Sequence, residues 1–201
     1  MRRIAAEIDH DLGGRPALLV AVLKGSIFFL CDLSRLLKSP VTVDFLQVSS
    51  YGEGTRSSGN VQFVRDLSID VAGKDVVIIE DIVDTGRTLA KILAFLRARN
   101  PASLKVCALL RKRAPKAGVT PVDYLGFEID DRFVVGYGLD FAEAYRNLPY
   151  IATLDDEEEG ERTSRGFRRR RRRGPSGPIR RRSRQTGFSS PRGRSGSTRR
   201  R

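Results

Sequence analysis

Residues 76–89 (VVIIEDIVDTGRTL) combine an apolar run, clustered acids and a glycine-containing turn. Glu80 and Asp81 follow the apolar run and are adjacent acceptors, suited to the two vicinal hydroxyls of a ribose. The turn at residues 85–88 (TGRT) comes next, at the predicted start of a helix, where unpaired N–H groups and the helix dipole favour a phosphate. Asp84 lies between them, facing the space above the sugar. This spacing predicts a site for a ribose phosphate.

Two other interpretations of this segment are weaker. A P-loop needs a glycine five residues before Gly86, and Asp81 occupies that position. Acids and threonines also cap helices, but a cap needs a single acid. Three acids within five residues should repel one another unless they bind a cation or a diol, so the pattern favours a ligand site.

The apolar runs of the chain predict the scaffold that positions these residues. The run Ala17–Leu23 (ALLVAVL) is continuous rather than alternating, which is typical of a strand covered on both faces. Helical patterns separate such runs, so we expect an α/β fold with a parallel sheet, which binds ligands at the carboxyl ends of its strands. The predicted strands are Ala17–Leu23, 41–48, 61–66, 76–79, 104–110, 122–127 and 133–137, and the predicted helices are 27–37, capped by Ser26 and stopped by Pro40, and 86–99.

Residues 76–89 resemble the phosphoribosyl pyrophosphate (PRPP) signature of type I phosphoribosyltransferases. The resemblance implies the α/β fold of that family, in which helices flank a mostly parallel central sheet and a small hood covers the base site. It makes Glu80 and Asp81 ribose contacts and also magnesium ligands. It makes the 5′-phosphate loop out of Asp84, Thr85, Gly86, Arg87 and Thr88, although lysine is common where this chain has Arg87.

A second segment, residues 23–26 (LKGS), resembles hypoxanthine-guanine phosphoribosyltransferases within that family. It follows the first predicted strand. The resemblance implies a cis peptide bond between Leu23 and Lys24, and it assigns pyrophosphate binding to Lys24 and Gly25. Without the family, these residues would be an ordinary strand-to-helix turn with a surface lysine.

A third segment, residues 49–60 (SSYGEGTRSSGN), is polar and rich in glycine and serine, and it predicts a mobile loop. The same resemblance makes it a lid that closes over the reacting centre and excludes water, with Ser50 and Tyr51 at its working end. Without the family, it would be a flexible hairpin connection.

The resemblance also provides a base pocket. Lys112 matches the lysine that donates to the 6-oxo group, which favours hypoxanthine or guanine over adenine. Phe133 matches the aromatic residue that stacks on the purine, and Val134 matches the neighbour whose backbone meets the base edge. Asp140 matches a magnesium-associated carboxylate, and Arg146 matches a pyrophosphate contact.

The chemistry implied is transfer of the phosphoribosyl group from PRPP to a 6-oxopurine, which yields inosine or guanosine monophosphate and pyrophosphate. Mg²⁺ and basic groups would stabilise the departing pyrophosphate, and nearby carboxylates would stabilise an oxocarbenium-like ribose. Asp84 would accept the proton at N7 of the purine. Two alternatives stay open: a transferase for xanthine or a pyrimidine, and an RNA-binding regulator built on the same fold.

Charge separates a predicted domain at residues 1–154 from a predicted tail at 155–201. Residues 161–201 hold 17 Arg and one acid, a net +16, whereas residues 1–160 hold 20 Lys+Arg and 23 Asp+Glu, a net −3, and the two sum to +13. The basic character therefore belongs to the tail, so it does not make the whole chain a nucleic-acid binder. The tail contains six consecutive arginines at 168–173, and its composition predicts disorder. It could bind RNA or another polyanion, be a solvated appendage, or reflect GC-rich DNA read in a wrong frame.

Cysteine usage and hydropathy suggest a cytoplasmic protein that acts away from membranes. Cys31 and Cys107 lie in apolar stretches, with no CxxC pair and no histidine cluster, which indicates neither a zinc site nor a disulfide framework. No apolar run approaches the ~20 residues needed to span a bilayer. The family resemblance, which covers about residues 5–154, implies a homo-oligomer, either a dimer or a tetramer. It departs at the N-terminus, where members usually carry a further helix before the position of Ile4.

Overall fold

The computed structural model describes residues 1–50, 61–113 and 120–154, without the side chains of Ser50 and Val61. Tyr51 of the predicted lid and the whole predicted tail lie outside the described residues, so the domain boundary at residue 154 stays a prediction. Within the described ranges, no helix has both the length and the apolar character that a membrane span requires.

A six-stranded sheet lies at the centre of the described structure, with the strand order β3-β2-β1-β4-β5-β6. Every pair of neighbouring strands is parallel except β2 and β3, which form an antiparallel pair. The prediction of an α/β fold with a mostly parallel sheet is confirmed. The strands are β1 (Ala17–Leu23), β2 (Val41–Ser50), β3 (Val61–Arg65), β4 (Asp75–Val83), β5 (Ser103–Lys112) and β6 (Tyr124–Ile129), and the helices are α1 (Arg2–Leu12), α2 (Ile27–Ser34) and α3 (Arg87–Arg97).

Both faces of the central strands are buried, which explains their continuous apolar runs. Successive side chains of a strand point to opposite faces. Leu19 and Ile79 therefore pack in one layer with α1 and α2, whereas Val20 and Ile78 pack in another layer with α3. The parallel sheet is thus covered on both sides, and its strand ends are left to form the site.

Helix α1 is not among the elements predicted from the sequence. Its buried residues Ile4, Ile8 and Leu12 recur at helical spacing, and Gly13 ends the helix in the left-handed conformation at φ 57°. The charged residues between them mask this apolar stripe when the sequence is considered alone, because only the packing against the sheet shows which face is buried.

Helix α2 begins at Ile27 as predicted, but its C-terminal end and its capping bond differ from the prediction. It ends at Ser34 rather than at Leu37, because Pro40 excludes a helix through the preceding residue but does not determine where the helix ends before that. Ser26 occupies the predicted N-cap position, but its hydroxyl donates to the carbonyl oxygen of Val22 (2.5 Å) rather than accepting from a helix amide. The serine therefore tightens the turn between β1 and α2.

A second, two-stranded sheet carries the base-pocket candidate Val134. Strand β7 (Val134–Val135) pairs antiparallel with β8 (Ala152–Thr153), and the predicted strand at 133–137 is shorter than expected. The chain turns away after β7 at Gly136, which has φ 93°. A side chain at this position would collide with the carbonyl oxygen of Tyr150. The hood that the sequence resemblance implies stays a prediction.

Candidate functional site

The carboxyl end of β4 and the start of α3 enclose a pocket of about 190 Å³. It lies where an α/β sheet is expected to bind its ligand. Most residues of the predicted ribose phosphate site line this pocket. They come from one contiguous motif, as the sequence analysis predicts. The residues that line it are Val22, Glu80, Ile82, Val83, Asp84, Thr85, Gly86, Thr88 and Leu89.

The adjacent acids lie inside β4 rather than after it, because the strand continues to Val83. Glu80 is buried at 7% exposure, and this burial, together with the charge of Asp81, raises the pKa of Glu80 well above its ordinary value. Burial also raises the pKa of Asp81, although the Ile82 amide donates to its carboxylate (2.8 Å) and opposes the shift. A buried acid next to a partly buried one is an arrangement that a cation or a sugar diol would stabilise.

The turn that begins α3 has the geometry expected of a phosphate loop. Gly86 is the N-cap residue at φ 72°, and Arg87 and Thr88 open the helix with exposed side chains. Thr120 donates its hydroxyl to the Gly86 carbonyl oxygen (3.0 Å), and a Cβ at Gly86 would lie 2.7 Å from that hydroxyl. Glycine is therefore required at this position for two reasons, the left-handed conformation and the close contact.

The turn after β1 packs directly against Asp81 of β4. The peptide bond between Leu23 and Lys24 is cis, so the prediction from the sequence resemblance is confirmed. A Cβ built on Gly25 would lie 1.6 Å from Oδ2 of Asp81, so only glycine fits there. The residues assigned to pyrophosphate and those assigned to ribose are therefore neighbours.

Arg146 stabilises the segment after β7, which approaches this turn at Gly138. It donates to the carbonyl oxygen of Gly138 (Nη1, 2.8 Å) and pairs with Asp140 (Nη2 to Oδ1, 2.7 Å). Gly138, at φ 102°, approaches the turn so closely that a Cβ on it would lie 2.0 Å from the carbonyl oxygen of Gly25. The predicted pyrophosphate contact and the predicted metal-associated carboxylate thus lie beside the predicted pyrophosphate turn.

Glu143 is a site residue that the sequence analysis did not identify. Its carboxylate bridges Lys24 (Oε1 to Nζ, 3.0 Å) and Arg146 (Oε2 to Nη2, 3.3 Å). These hydrogen-bonded ion pairs lower the pKa of Glu143, with the bond to Lys24 as the largest cause. No short-range pattern marks this residue, because its partner Lys24 is 119 positions away in the chain.

The base-pocket lysine also has an unpredicted partner. The Lys112 ammonium pairs with Asp131 (2.8 Å to Oδ1), and its distance to Asp84 (Oδ2) is 3.9 Å. The Lys112 side chain is largely buried, whereas the carboxylate of Asp131 is exposed. Phe133 is partly exposed, and its ring makes a T-shaped contact with that of Phe141 at a centroid distance of 5.4 Å. Phe133 therefore keeps an accessible surface on which a planar base could stack.

The predicted lid contributes little to the described site. Ser50 is the last residue of β2, and its side chain is outside the described part of the structure, as is all of Tyr51. The antiparallel pairing of β2 with β3 agrees with a hairpin around this segment. The lid role of both residues stays a prediction.

The acids at the site fit a magnesium ion that arrives with a substrate better than one held by protein alone. Among the described residues, no group of three or more His, Cys, Asp or Glu side chains has the arrangement of a metal site. Mg²⁺ commonly keeps several waters and binds through one or two carboxylates together with substrate phosphates. The adjacent acids Glu80 and Asp81 provide such carboxylates, whereas Asp140 is already bonded to Arg146.

Comparisons with known proteins match this geometry. Residues 1–142 match the family model described as phosphoribosyl transferase domain. The chain is 49% identical over 154 residues to the hypoxanthine-guanine phosphoribosyltransferase of Mycobacterium avium. The matched region covers 77% of this chain and 73% of the Mycobacterium protein. The chain is 46% identical over 157 residues to the bifunctional protein TilS/HprT of Listeria innocua, of which it spans only 24%.

A solved structure agrees with the sequence matches. The crystal structure of a hypoxanthine-guanine phosphoribosyltransferase from Bacillus anthracis, with a HEPES molecule in its active site, is 42% identical and superimposes with a TM-score of 0.73. The match covers 77% of this chain and 91% of the Bacillus chain. The chain therefore belongs to the phosphoribosyltransferase family and, within it, to the hypoxanthine-guanine phosphoribosyltransferases.

Proposed function

We propose that this protein is a purine-salvage enzyme that transfers the phosphoribosyl group of PRPP to hypoxanthine or guanine. The products are inosine or guanosine monophosphate and pyrophosphate. The observation that carries the proposal is that the predicted pyrophosphate, ribose phosphate and base subsites meet at one edge of the sheet. The turn at Gly25 contacts Asp81, and Lys112 approaches Asp84 at the predicted phosphate loop. Each subsite matches one part of the two substrates.

PRPP would extend along this edge from α3 to the segment after β7. The amides and hydroxyls of residues 85–88 would bind the 5′-phosphate, and Glu80 and Asp81 would accept hydrogen bonds from the ribose hydroxyls. Lys24 and Arg146 would bind the pyrophosphate as the charge builds on it. The turn at Gly25 would hold these groups in one line because it contacts both Asp81 and Gly138.

Hypoxanthine-guanine phosphoribosyltransferases generally depend on Mg²⁺. When bound, the ion would neutralise the negative charge that develops on the leaving pyrophosphate. Glu80 and Asp81 are the residues that would hold it, and Asp140 would join them by exchanging its pair with Arg146 for the ion.

The base would be recognised along the purine edge that presents O6 and N7. These two atoms are neighbours on the same edge of a 6-oxopurine. Lys112 and Asp84 lie 3.9 Å apart, so the ammonium could donate to O6 while the carboxylate accepts the N7 proton. Phe133 would stack on the face of the same ring, beside the backbone of Val134.

We also propose that the protein acts in the cytoplasm as a homo-oligomer, either a dimer or a tetramer. The family resemblance supports this, and the exposed side chains of Ile27 and Phe28 at the start of α2 offer an apolar surface. Any nucleic-acid binding would belong to the tail at 155–201, which lies outside the described residues.

The direct test is to incubate the full chain with PRPP, Mg²⁺ and one nucleobase at a time, and to measure the nucleotide formed. We expect product with hypoxanthine and guanine and far less with adenine, because adenine's amino group cannot accept from Lys112. Product with xanthine or uracil alone would instead indicate a related transferase. Failure with every base, together with tight RNA binding, would favour the regulator.

A further inference from the structure

Glu143 occupies the space between the two cations that the proposed function assigns to pyrophosphate. One carboxylate oxygen lies 3.0 Å from Nζ of Lys24, and the other lies 3.3 Å from Nη2 of Arg146. Pyrophosphate would need the same two cations. The Glu143 carboxylate therefore occupies the position that an oxygen of pyrophosphate would need.

The backbone around Glu143 holds the side chain in this bridging position. Glu143 has φ 62°, and its neighbours Ala142 (φ 50°) and Tyr145 (φ 73°) also lie in the left-handed region. Non-glycine residues pay about 1–3 kcal/mol for such conformations, which cluster at functional sites. The Glu143 amide also donates to Oδ2 of Asp140 (2.9 Å), so the turn is tied to the acid that pairs with Arg146.

One nitrogen of the Arg146 guanidinium lacks an acceptor. Its Nε is buried and has no hydrogen-bond partner in the described part of the chain, although both of its terminal nitrogens are bonded. A buried N–H without an acceptor is costly. The guanidinium is therefore only partly satisfied by the protein, whereas the bond to Glu143, at 3.3 Å, is its longest ion pair and lies at the exposed side.

We propose that Glu143 is a built-in counter-ion of the pyrophosphate site, which the pyrophosphate group displaces on binding and which replaces it on release. The inference rests on the proposed function, because that function assigns Lys24 and Arg146 to pyrophosphate. Glu143 neutralises both cations while the site is empty. It therefore lowers the affinity for pyrophosphate and lowers the barrier to its departure.

This role separates ligands by whether they carry pyrophosphate. PRPP and pyrophosphate must displace the Glu143 carboxylate, whereas ribose 5-phosphate uses the acids of β4 and the phosphate loop and does not reach Lys24 or Arg146. Removing the charge of Glu143 should tighten binding of the first two ligands and leave the third unchanged. A residue with a merely structural role would affect all three.

The test compares Glu143→Gln with a matched control, Glu7→Gln, in the full chain. Glu7 is also an exposed glutamate that pairs with an arginine (Arg3, 2.7 Å), but it lies on α1, and its removal changes the net charge equally. Calorimetry at low salt measures the dissociation constants of magnesium pyrophosphate and of ribose 5-phosphate, and product-inhibition assays measure competition of pyrophosphate against PRPP.

For Glu143→Gln we expect pyrophosphate to bind about three- to tenfold more tightly, the size expected when two exposed ion pairs no longer compete. The KM for PRPP should fall by a similar factor, and inhibition by pyrophosphate should become stronger. Ribose 5-phosphate affinity and the melting temperature should match those of Glu7→Gln. Unchanged or weaker pyrophosphate binding would overturn the proposal, and so would an equal change for ribose 5-phosphate.

Failure of the proposed function would show differently. Suppose that the wild type forms no nucleotide from any base, while Glu143→Gln still binds pyrophosphate more tightly than the wild type does. The transferase reaction would then be refuted, and the counter-ion role would be retained. A wild-type chain that forms nucleotide, with no effect of the variant on pyrophosphate, would do the opposite. A wild-type chain that binds no pyrophosphate would refute the counter-ion as well.

Discussion

Asp84 and Lys112 act on neighbouring atoms of the purine in the proposed reaction. The Asp84 side chain is exposed at the mouth of the phosphate loop, and its Oδ2 lies 3.9 Å from the Lys112 ammonium. One of the two accepts a proton and the other donates a hydrogen bond. Their effects on catalysis should therefore be separable by mutation.

We expect Asp84→Asn to lower turnover by roughly a hundredfold or more, the usual contribution of a general base. The amide is nearly the same size but cannot accept the N7 proton at neutral pH. Affinity for PRPP should stay close to that of the wild type, because the phosphate loop keeps its amides and hydroxyls. Rapid-quench turnover and calorimetric PRPP binding check the two halves of this prediction, and wild-type turnover would remove Asp84 from the base role.

Lys112→Gln should lower kcat/KM for hypoxanthine by roughly ten- to a hundredfold, since a hydrogen bond from a charged donor contributes about 1.5–3 kcal/mol. PRPP affinity should not change. Lys105→Gln is the matched control, because Lys105 lies at the opposite end of β5 and pairs with Asp11. Equal losses in the two variants would point to damage to the strand rather than to a lost contact with the base.

At the scale of elements, the turn between β1 and α2 positions the site by close packing. Gly25 leaves no room for a side chain, because a Cβ would overlap the Asp81 carboxylate at 1.6 Å. Asp81 is itself partly buried in β4, and its Cγ would lie 2.5 Å from the added Cβ, so the whole carboxylate would have to move. A shift of this turn would therefore move Asp81, one of the acids that would bind ribose.

We expect Gly25→Ala to weaken PRPP binding by more than about tenfold, since even an ångström of displacement at a reacting centre is costly. The control is Gly14→Ala, at φ 82° with no atom within 4 Å of an added Cβ. That variant pays only a local backbone cost of about 1 kcal/mol and should keep PRPP affinity. Titration of PRPP, with circular dichroism to verify folding, makes the comparison, and equal affinity in both variants would refute the packing argument.

At the scale of the whole molecule, one buried carboxylate links β2 to the segment before β4. Asp44 of β2 is 2% exposed and accepts bonds from the amides of Phe45 (2.8 Å), Ser68 (2.7 Å) and Ile69 (2.8 Å), and from the Ser68 hydroxyl (3.1 Å). Burial alone would raise the pKa of Asp44, but these hydrogen bonds outweigh it and leave the pKa below its ordinary value.

The lowered pKa of Asp44 sets the sign of its pH dependence. Its contribution to stability is complete above the unfolded pKa of about 4, and it is lost as the pH falls through the lower folded pKa. Asp44→Asn should therefore reduce the free energy of unfolding at pH 7 by about 2 kcal/mol or more, because the amide cannot accept all of these bonds. The loss should shrink below about pH 4. Urea unfolding across pH measures it, with the exposed Asp70→Asn as control, and a loss that does not depend on pH would contradict the argument.

The stability contribution of Glu80 in β4 depends on pH in the opposite direction to that of Asp44. Because burial raises the pKa of Glu80 above its ordinary value, its contribution to stability is present at low pH and declines as the pH rises through the folded pKa. The empty site therefore costs stability near neutrality, as functional sites commonly do. A bound sugar diol or cation would offset that cost.

The sequence by itself determined the fold class, and it predicted a ribose phosphate site. Continuous apolar runs indicate strands buried on both faces, and residues 76–89 carry the acids, the turn and the helix start within one contiguous segment. Such features depend on local chemistry and periodicity. The cis peptide bond at Leu23–Lys24 and the family were predicted because the motifs are specific.

Only the tertiary structure decided which distant residues meet. Gly25 against Asp81, Thr120 against Gly86 and Glu143 between two cations all depend on strand order and on the path of the chain after β7. The same holds for α1, whose apolar stripe acquires meaning only where it packs on the sheet. Periodicity describes what one element buries, but contacts between elements follow from their placement in space, and that is why the counter-ion and the lysine's partner could not be predicted from the sequence.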